Sequence, residues 1–286
     1  MSFITLTTDF GTKDHFVGAV KGAILSQLPD AKIVDISHEI SPFNIAETAY
    51  ILKNSYKSFP KGTIHIVGVD SELSEDNKHI ALEIDNHFFV CPDNGSISMI
   101  VSEIQPTKMV EINIHDRIES SFPVLDVFVN VACFIARGGN LTVIGKEIKD
   151  IKINTEIKPK VNQLQNQIIG GVLYVDNFGN LITNISRKMF QEVGKNRKFV
   201  VSASKHKFTK IYNKYNEITG EHGTNSTIFD GEKLALFNSA DYLELAIFRS
   251  NLKSLGGAST LLGLEYRDRV TIDFFTENEP EFSTLQ

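Results

Sequence analysis

Cysteine is scarce. Cys91 and Cys133 are the two thiols in 286 residues, too few for a disulfide framework or a cysteine metal site. No apolar run approaches the roughly 18 residues that a membrane span needs. The opening Met1-Ser2-Phe3-Ile4-Thr5 shows no basic segment followed by an apolar one, so no signal peptide is expected and a reducing cytoplasm is the expected location. Neither G-x-G-x-x-G nor G-x-x-x-x-G-K-[ST] occurs, which removes the dinucleotide fingerprint and the P-loop. The eight histidines fall in no H-E-x-x-H spacing, and no metal site is expected. A G-x-S-x-G nucleophile elbow is also missing. Basic charge is not in excess: 29 Lys and Arg stand against 35 Asp and Glu, a net charge of -6. That balance argues against nucleic acid or an anionic membrane as partner.

The remainder is ordinary globular material, 42% hydrophobic and 22% charged. At roughly 100–200 residues per domain, the length favours two domains. The first half alternates short apolar runs with helical spacing. Strands are predicted over 3–8, 32–36 and 63–69, and helices over 15–28 and 45–56. A hairpin is predicted over 80–84 and 87–91 around Asp85-Asn86, and a long apolar helix over 124–137, stopped by Gly138-Gly139. This order predicts an α/β domain with a mostly parallel sheet over 1–153. Residues 154–166, polar and containing Pro159, read as a linker. Strands over 168–175, 198–203, 207–212, 233–237, 242–247 and 269–275, with only short helices between, predict a smaller antiparallel β-barrel-like domain over 167–286.

Candidate site residues cluster where strands end. Asp9 follows the first strand and Asp70 the third; ligands of open α/β sheets bind at such carboxyl ends. A carboxylate there can accept two hydrogen bonds at once, which suits a ribose diol, or it can act as a base. The competing reading makes Asp9, Asp14 and Asp70 turn or cap residues. Cys91-Pro92-Asp93-Asn94-Gly95 reads first as a turn. Asp176 and Asn180 bracket Phe178 on a Gly179 turn, a set able to stack a flat ring and bond its substituents, or an ordinary hairpin turn. The basic residues 187–214 alternate with apolar ones around 201–208, so their lysines are expected on the wet face of strands.

Five segments, in order and across nearly the whole chain, carry a resemblance. They are Leu6-Thr7-Thr8-Asp9-Phe10-Gly11, with Asp14, Gly18 and Gly22 after it; Asp35-Ile36-Ser37-His38-Glu39-Ile40; Pro92-Asp93-Asn94-Gly95; Asp176-Asn177-Phe178-Gly179-Asn180; and Asn238-Ser239-Ala240-Asp241-Tyr242. Together they resemble the S-adenosylmethionine hydroxide adenosyltransferases, relatives of the fluorinases and chlorinases. The resemblance implies an α/β domain, a β-barrel-like domain and a homotrimer whose ligand lies between neighbouring subunits. It implies displacement of methionine at C5′ of S-adenosylmethionine by water, giving adenosine and methionine, with no cofactor. It places Asp9 at the ribose diol, Phe43 near the ribose or sulfonium, and Asp14, Asp176 and Ser239 at the methionine end. Phe178 would stack on adenine, with Asn180 beside it. The family activates water with an Asp, an Arg and a His. Asp70 matches the Asp; the Arg position falls on Asn77, beside Lys78, and the His position on Pro123. The expected function is therefore an S-adenosylmethionine hydrolase, with an impaired adenosine- or S-adenosylmethionine-binding protein as the alternative. A halide-using relative is disfavoured, because the span from Asp70 to Pro92 has no room for the long insertion that fluorinases carry.

Overall fold

A computed structural model describes residues 2–114, 120–155, 158–222 and 227–275, apart from the side chains of 221 and 222. Residues 156–157 of the expected linker and 276–286 of the expected second domain lie outside the described residues. The chain forms two compact units, Met1–Thr155 and Glu156–Gln286. No described helix is long and apolar enough to cross a membrane.

The first unit is built on β1 (Phe3–Thr8), α1 (Phe16–Gln27), β2 (Lys32–Ser37), α2 (Ile45–Ser55), β3 (Ile64–Gly68), β4 (His79–Ile84), β5 (His87–Pro92), α3 (Ser98–Val101), β6 (Lys108–Ile112), α4 (Val129–Ala136) and β7 (Gly145–Glu147). The sheet runs β2-β1-β3-β5-β4-β6-β7. β1 pairs in parallel with β2 and β3, and β3 with β5; the rest pair antiparallel. The chain leaves β1 for one neighbour and later returns to the other side, so the strand order reverses between β1 and β3. A crevice opens at the carboxyl ends beside such a reversal.

One face of the sheet packs Ile4, Leu6, Ile64 and Ile66 against Val20, Ile24, Val127, Phe128 and Ala132. The other packs Val67, Leu82 and Phe89 against Leu52, Tyr56 and Ile100. Asp85 and Asn86 both adopt positive φ, 52° and 61°, the twist that a two-residue hairpin requires. The helix expected over 124–137 opens instead as a π-turn, Val124–Phe128, before α4 continues. Gly68 makes room for that turn: a Cβ there would lie 2.8 Å from Val124 Cγ2. The short elements β6, β7 and α3 were not expected, being too brief for a hydrophobic period to show.

The second unit contains β8 (Lys160–Val161), β9 (Gln167–Val175), β10 (Leu181–Ser186), α5 (Arg187–Gly194), β11 (Lys198–Ala203), β12 (His206–Phe208), β13 (Ile211–Tyr212), β14 (Lys233–Phe237), β15 (Tyr242–Ile247), α6 (Ala258–Leu262) and β16 (Arg269–Phe275). β8 falls inside the stretch expected as a linker and pairs with β9. The order is β12-β11-β16-β9-β10-β15-β14-β13. The single strand expected over 207–212 is therefore two strands, at opposite ends of the sheet. Only Thr209 and Lys210 join them, so the sheet must curl until its ends nearly meet, a barrel-like form. One pair, β13 with β14, is parallel. Val201 and Ala203 point into a core with Ile168, Leu181, Leu243, Leu245 and Ile272, while Lys205 and Lys207 are exposed, as expected.

Candidate functional site

The carboxyl ends of β1 and β3 bring Asp9 and Asp70 together. Asp9 Oδ2 accepts the Phe43 backbone N–H at 3.0 Å. Burial pushes the Asp9 carboxyl up; backbone hydrogen bonds of Phe43, Asp9 itself and Asp70 oppose this, and the Asp70 charge adds to the rise. Two of these donors sit on unusual backbone, Phe43 at φ 60° and Asp70 at φ 48°. For non-glycine residues such conformations persist only where surroundings hold them. At Phe43 the holding group is buried Glu47, whose Oε2 accepts Ser41 N and Asn44 Nδ2, each at 3.2 Å. Asn44 Oδ1 in turn accepts Glu47 N at 3.1 Å, a reciprocal cap on α2. Burial raises the Glu47 carboxyl despite these bonds. Phe43 is 71% exposed, an apolar side chain on the residue whose amide holds the Asp9 carboxylate.

Beyond Asp9, Phe10 packs edge-on to Phe122 at 5.4 Å and lies 5.8 Å from the Phe16 ring. This aromatic trio pins the segment that carries Asp9. Asp14 is exposed. It is not the cap of α1: that position is His15, with no side-chain cap bond.

Asn77 is a staple. Its Nδ2 donates to Asp70 O at 2.8 Å and Glu72 O at 2.9 Å, closing the loop after β3. Its Oδ1 is buried without a partner. Asn94 Nδ2 donates to Val69 O at 3.0 Å, tying the residues 92–95 turn to the same strand end. Pro123 caps the amino end of the π-turn, at φ −56°.

In the second unit the residues 176–180 turn joins β9 to β10. Asp176 Oδ1 accepts Phe178 N and Asn180 N, both at 2.8 Å, and Asn180 Nδ2 donates to Asp176 Oδ2 at 3.1 Å. Gly179 has φ 78°, and a Cβ there would lie 2.6 Å from Leu252 and 2.8 Å from Gly257. Phe178 is left 69% exposed on a rigid turn. Glu244 on β15, 3% exposed, was not singled out from sequence. Tyr215 donates its hydroxyl to Glu244 Oε1 and lies 3.4 Å from Asn180 Nδ2. Burial raises the Glu244 carboxyl; the Tyr215 bond opposes this, the Asp176 charge adds to it, and an Asn238 bond opposes it again. Asn238 Oδ1 accepts Ala240 N at 3.0 Å and so shapes the turn that presents exposed Ser239. Asp176, Asn180, Tyr215, Glu244 and Asn238 form one polar network, with Phe178 and Ser239 at its margin.

The structure thus joins Asp9, Phe43, Asp70 and Asn77 in one unit, and Asp176, Phe178 and Asn180, with Ser239 nearby, in the other. The first set presents carboxylates and an aromatic face; the second an exposed ring over a fixed amide and carboxylate. Carboxylates recognise hydroxyl pairs and tolerate cations, and aromatic rings stack on flat heterocycles and face cationic sulfur.

Residues 4–145 match the SAM hydroxide adenosyltransferase N-terminal domain, and residues 170–271 match the C-terminal domain of the same family. A protein of Methanocaldococcus jannaschii named (R)-S-adenosyl-L-methionine hydrolase is 31% identical, over 95% of this chain and 96% of its own length. A fluorinase of Actinoplanes is 24% identical over 67% of this chain and 74% of its own. The crystal structure of an uncharacterized conserved protein from Thermotoga maritima superposes with a TM-score of 0.77 at 29% identity, covering 94% of this chain and 99% of that one.

Proposed function

The chain belongs to the SAM hydroxide adenosyltransferase family, and we propose that it hydrolyses S-adenosylmethionine to adenosine and methionine. The observation that carries this reading is the Asp9 carboxylate, held by the Phe43 amide beside Asp70 at the carboxyl ends of β1 and β3. Asp9 would take the ribose diol, Phe43 would cover the ribose or the sulfonium, and Phe178 would stack on adenine beside Asn180. Asp14, Asp176 and Ser239 would meet the methionine end.

Water attacks C5′, the C5′–S bond breaks, and its electron pair leaves with neutral methionine sulfur. The sulfonium departs without protonation, so the chain needs no general acid and, in this reading, no cofactor. What it must supply is alignment of water, C5′ and sulfur, together with an acceptor for the proton of the attacking water, for which Asp70 is the candidate. We further propose a cytoplasmic homotrimer, in which the Asp9 set of one chain meets the Phe178 set of a neighbour. Light scattering should then give the mass of three chains; a monomer that still binds ligand tightly counts against it.

A second reading is a binding protein with little turnover. It is favoured by Asn77, whose amide nitrogen is occupied in closing its loop, and by Pro123, which has no side-chain acceptor. The two readings separate when the protein is incubated with each sulfonium epimer of S-adenosylmethionine and the products are followed by chromatography. Hydrolysis yields adenosine and methionine in equal amounts. Intact S-adenosylmethionine recovered from the protein supports the second reading. Added chloride tests for a chlorinated nucleoside.

A further inference from the structure

Behind Asp9 runs a chain of polar groups that the proposed reaction does not use. Lys21 Nζ lies 2.6 Å from Asp35 Oδ2. Asp35 Oδ1 lies 3.1 Å from His38 Nε2. His38 Nδ1 lies 2.7 Å from Thr8 Oγ1, and Thr8 immediately precedes Asp9. Both inner members are buried, His38 at 4% and Thr8 at 1% exposure. A buried imidazole and hydroxyl bonded to each other restrict both side chains to one arrangement. His38 Nδ1 and Thr8 Oγ1 share one hydrogen bond, and the Asp35 carboxylate stands at the other ring nitrogen as an ion-pair neighbour. The Thr8 oxygen keeps a lone pair for the Phe10 N–H, 3.4 Å away. The His38 main chain acts on the same turn, since His38 O accepts Gly11 N at 2.7 Å. His38 therefore grips the residues 8–11 turn on both sides of Asp9, once through its ring and once through its carbonyl. The α1–β2 region supplies the outer anchor, because Lys21 sits on α1 and Asp35 on β2. Burial alone would raise the Asp35 carboxyl, but the Lys21 and His38 hydrogen bonds outweigh it and hold that carboxyl below its ordinary value.

We propose that His38 is a positioning residue for Asp9, acting through the Thr8 hydroxyl and itself oriented by the Lys21–Asp35 pair. This rests on the reading of Asp9 as the ribose-binding carboxylate. The carboxylate must meet two hydroxyls at once, and a small error in the angle of its turn loses one of them. His38 has no contact with the proposed ligand set and is not a catalytic residue.

The test measures adenosine affinity by calorimetry on the full-length protein, with thermal unfolding recorded for each variant. Asp9→Asn is the reference, because it reports whether Asp9 holds the ligand at all. Thr8→Val keeps the shape of the buried side chain and removes only the hydroxyl. His38→Ala removes the ring, and His38→Asn places a polar atom where Nδ1 was. Positioning through Thr8 predicts that Thr8→Val and His38→Ala each weaken adenosine binding by roughly three- to tenfold, the worth of about one hydrogen bond. Their combination should be no worse than the stronger single change, since both break one link. His38→Asn should recover most of the loss, whatever happens to the melting temperature. If Asp9→Asn weakens binding while folded Thr8→Val and His38→Ala bind like the wild type, or the two losses simply add, the relay is overturned and the Asp9 reading survives. If Asp9→Asn itself binds adenosine normally, both fall together.

Discussion

Asp9 sits where two effects oppose each other. Burial disfavours its charge, and three backbone hydrogen bonds offset this only in part. Bonds to a ligand's hydroxyls would complete that compensation, and removing the carboxylate would leave the hydroxyls unpaired at about 1–3 kcal/mol. Asp9→Ala should accordingly weaken adenosine binding roughly tenfold or more, read by calorimetry. In the proposed reaction, Asn77 and Pro123 should bear on rate instead of affinity. Resemblance puts an arginine and a histidine at these positions, and Asn77→Arg with Pro123→His should raise adenosine release by roughly tenfold or more. The gain should come with lower stability. Asn77→Arg forfeits the two bonds to Asp70 O and Glu72 O, each worth about 0.5–1.5 kcal/mol. Single-turnover assays beside thermal melts would show both effects. A double variant that folds, binds adenosine and releases it no faster than wild type would show that these groups do not limit turnover.

The hairpin from β9 to β10 shows how an element serves a site. Gly179 takes a left-handed φ and lets Gly257 and Leu252 approach too closely for any Cβ. Gly179→Ala should destabilise the second unit by about 1–3 kcal/mol and weaken adenosine binding with it, because Phe178 rides on the same turn. Urea denaturation and calorimetry on one preparation would check the pair. This hairpin was legible in the sequence, as were β1 and β3 with the carboxylates at their ends, because apolar runs ending in Asp or Gly punctuate strands. Glu244 was not. It alternates with Leu243 and Leu245, the pattern of a strand with one wet face. The structure covers that second face: Ala246 and Leu234 pack with Ile218 from the residues 215–222 segment, and Tyr215 reaches Glu244. A short helical turn that buries a strand's outer face leaves no period to read. The role of Asn77 was hidden for a similar reason, since its partners are backbone carbonyls that exist only once the loop closes. The π-turn was hidden because Val124–Phe128 is as apolar as the helix it precedes.

On the scale of a whole unit, acid should act through the amino-end half of the first sheet, away from Asp9. Thr5 Oγ1 lies 2.7 Å from His65 Nδ1, and His65 Nε2 lies 3.1 Å from His87 Nδ1. Burial pushes His65 down to about 3, helped by His87, and burial also lowers His87. A histidine with a depressed folded pKa binds fewer protons folded than unfolded. Its contribution is complete above the unfolded value of about 6.5 and is lost as pH falls towards the folded one. His65 alone should cost the first unit about 2 kcal/mol between pH 7 and pH 5. Urea midpoints at those two pH values should show the loss, and His65→Gln should flatten it; an equally steep dependence in that variant would place the titrating group elsewhere. The same pair of rings carries a clock. The proton between His65 Nε2 and His87 Nδ1 is walled in by Tyr56, Phe59 and Phe89, so it trades with solvent only when the unit opens. Its lifetime in deuterated water measures how often the first unit comes apart, with no label added and no ligand present.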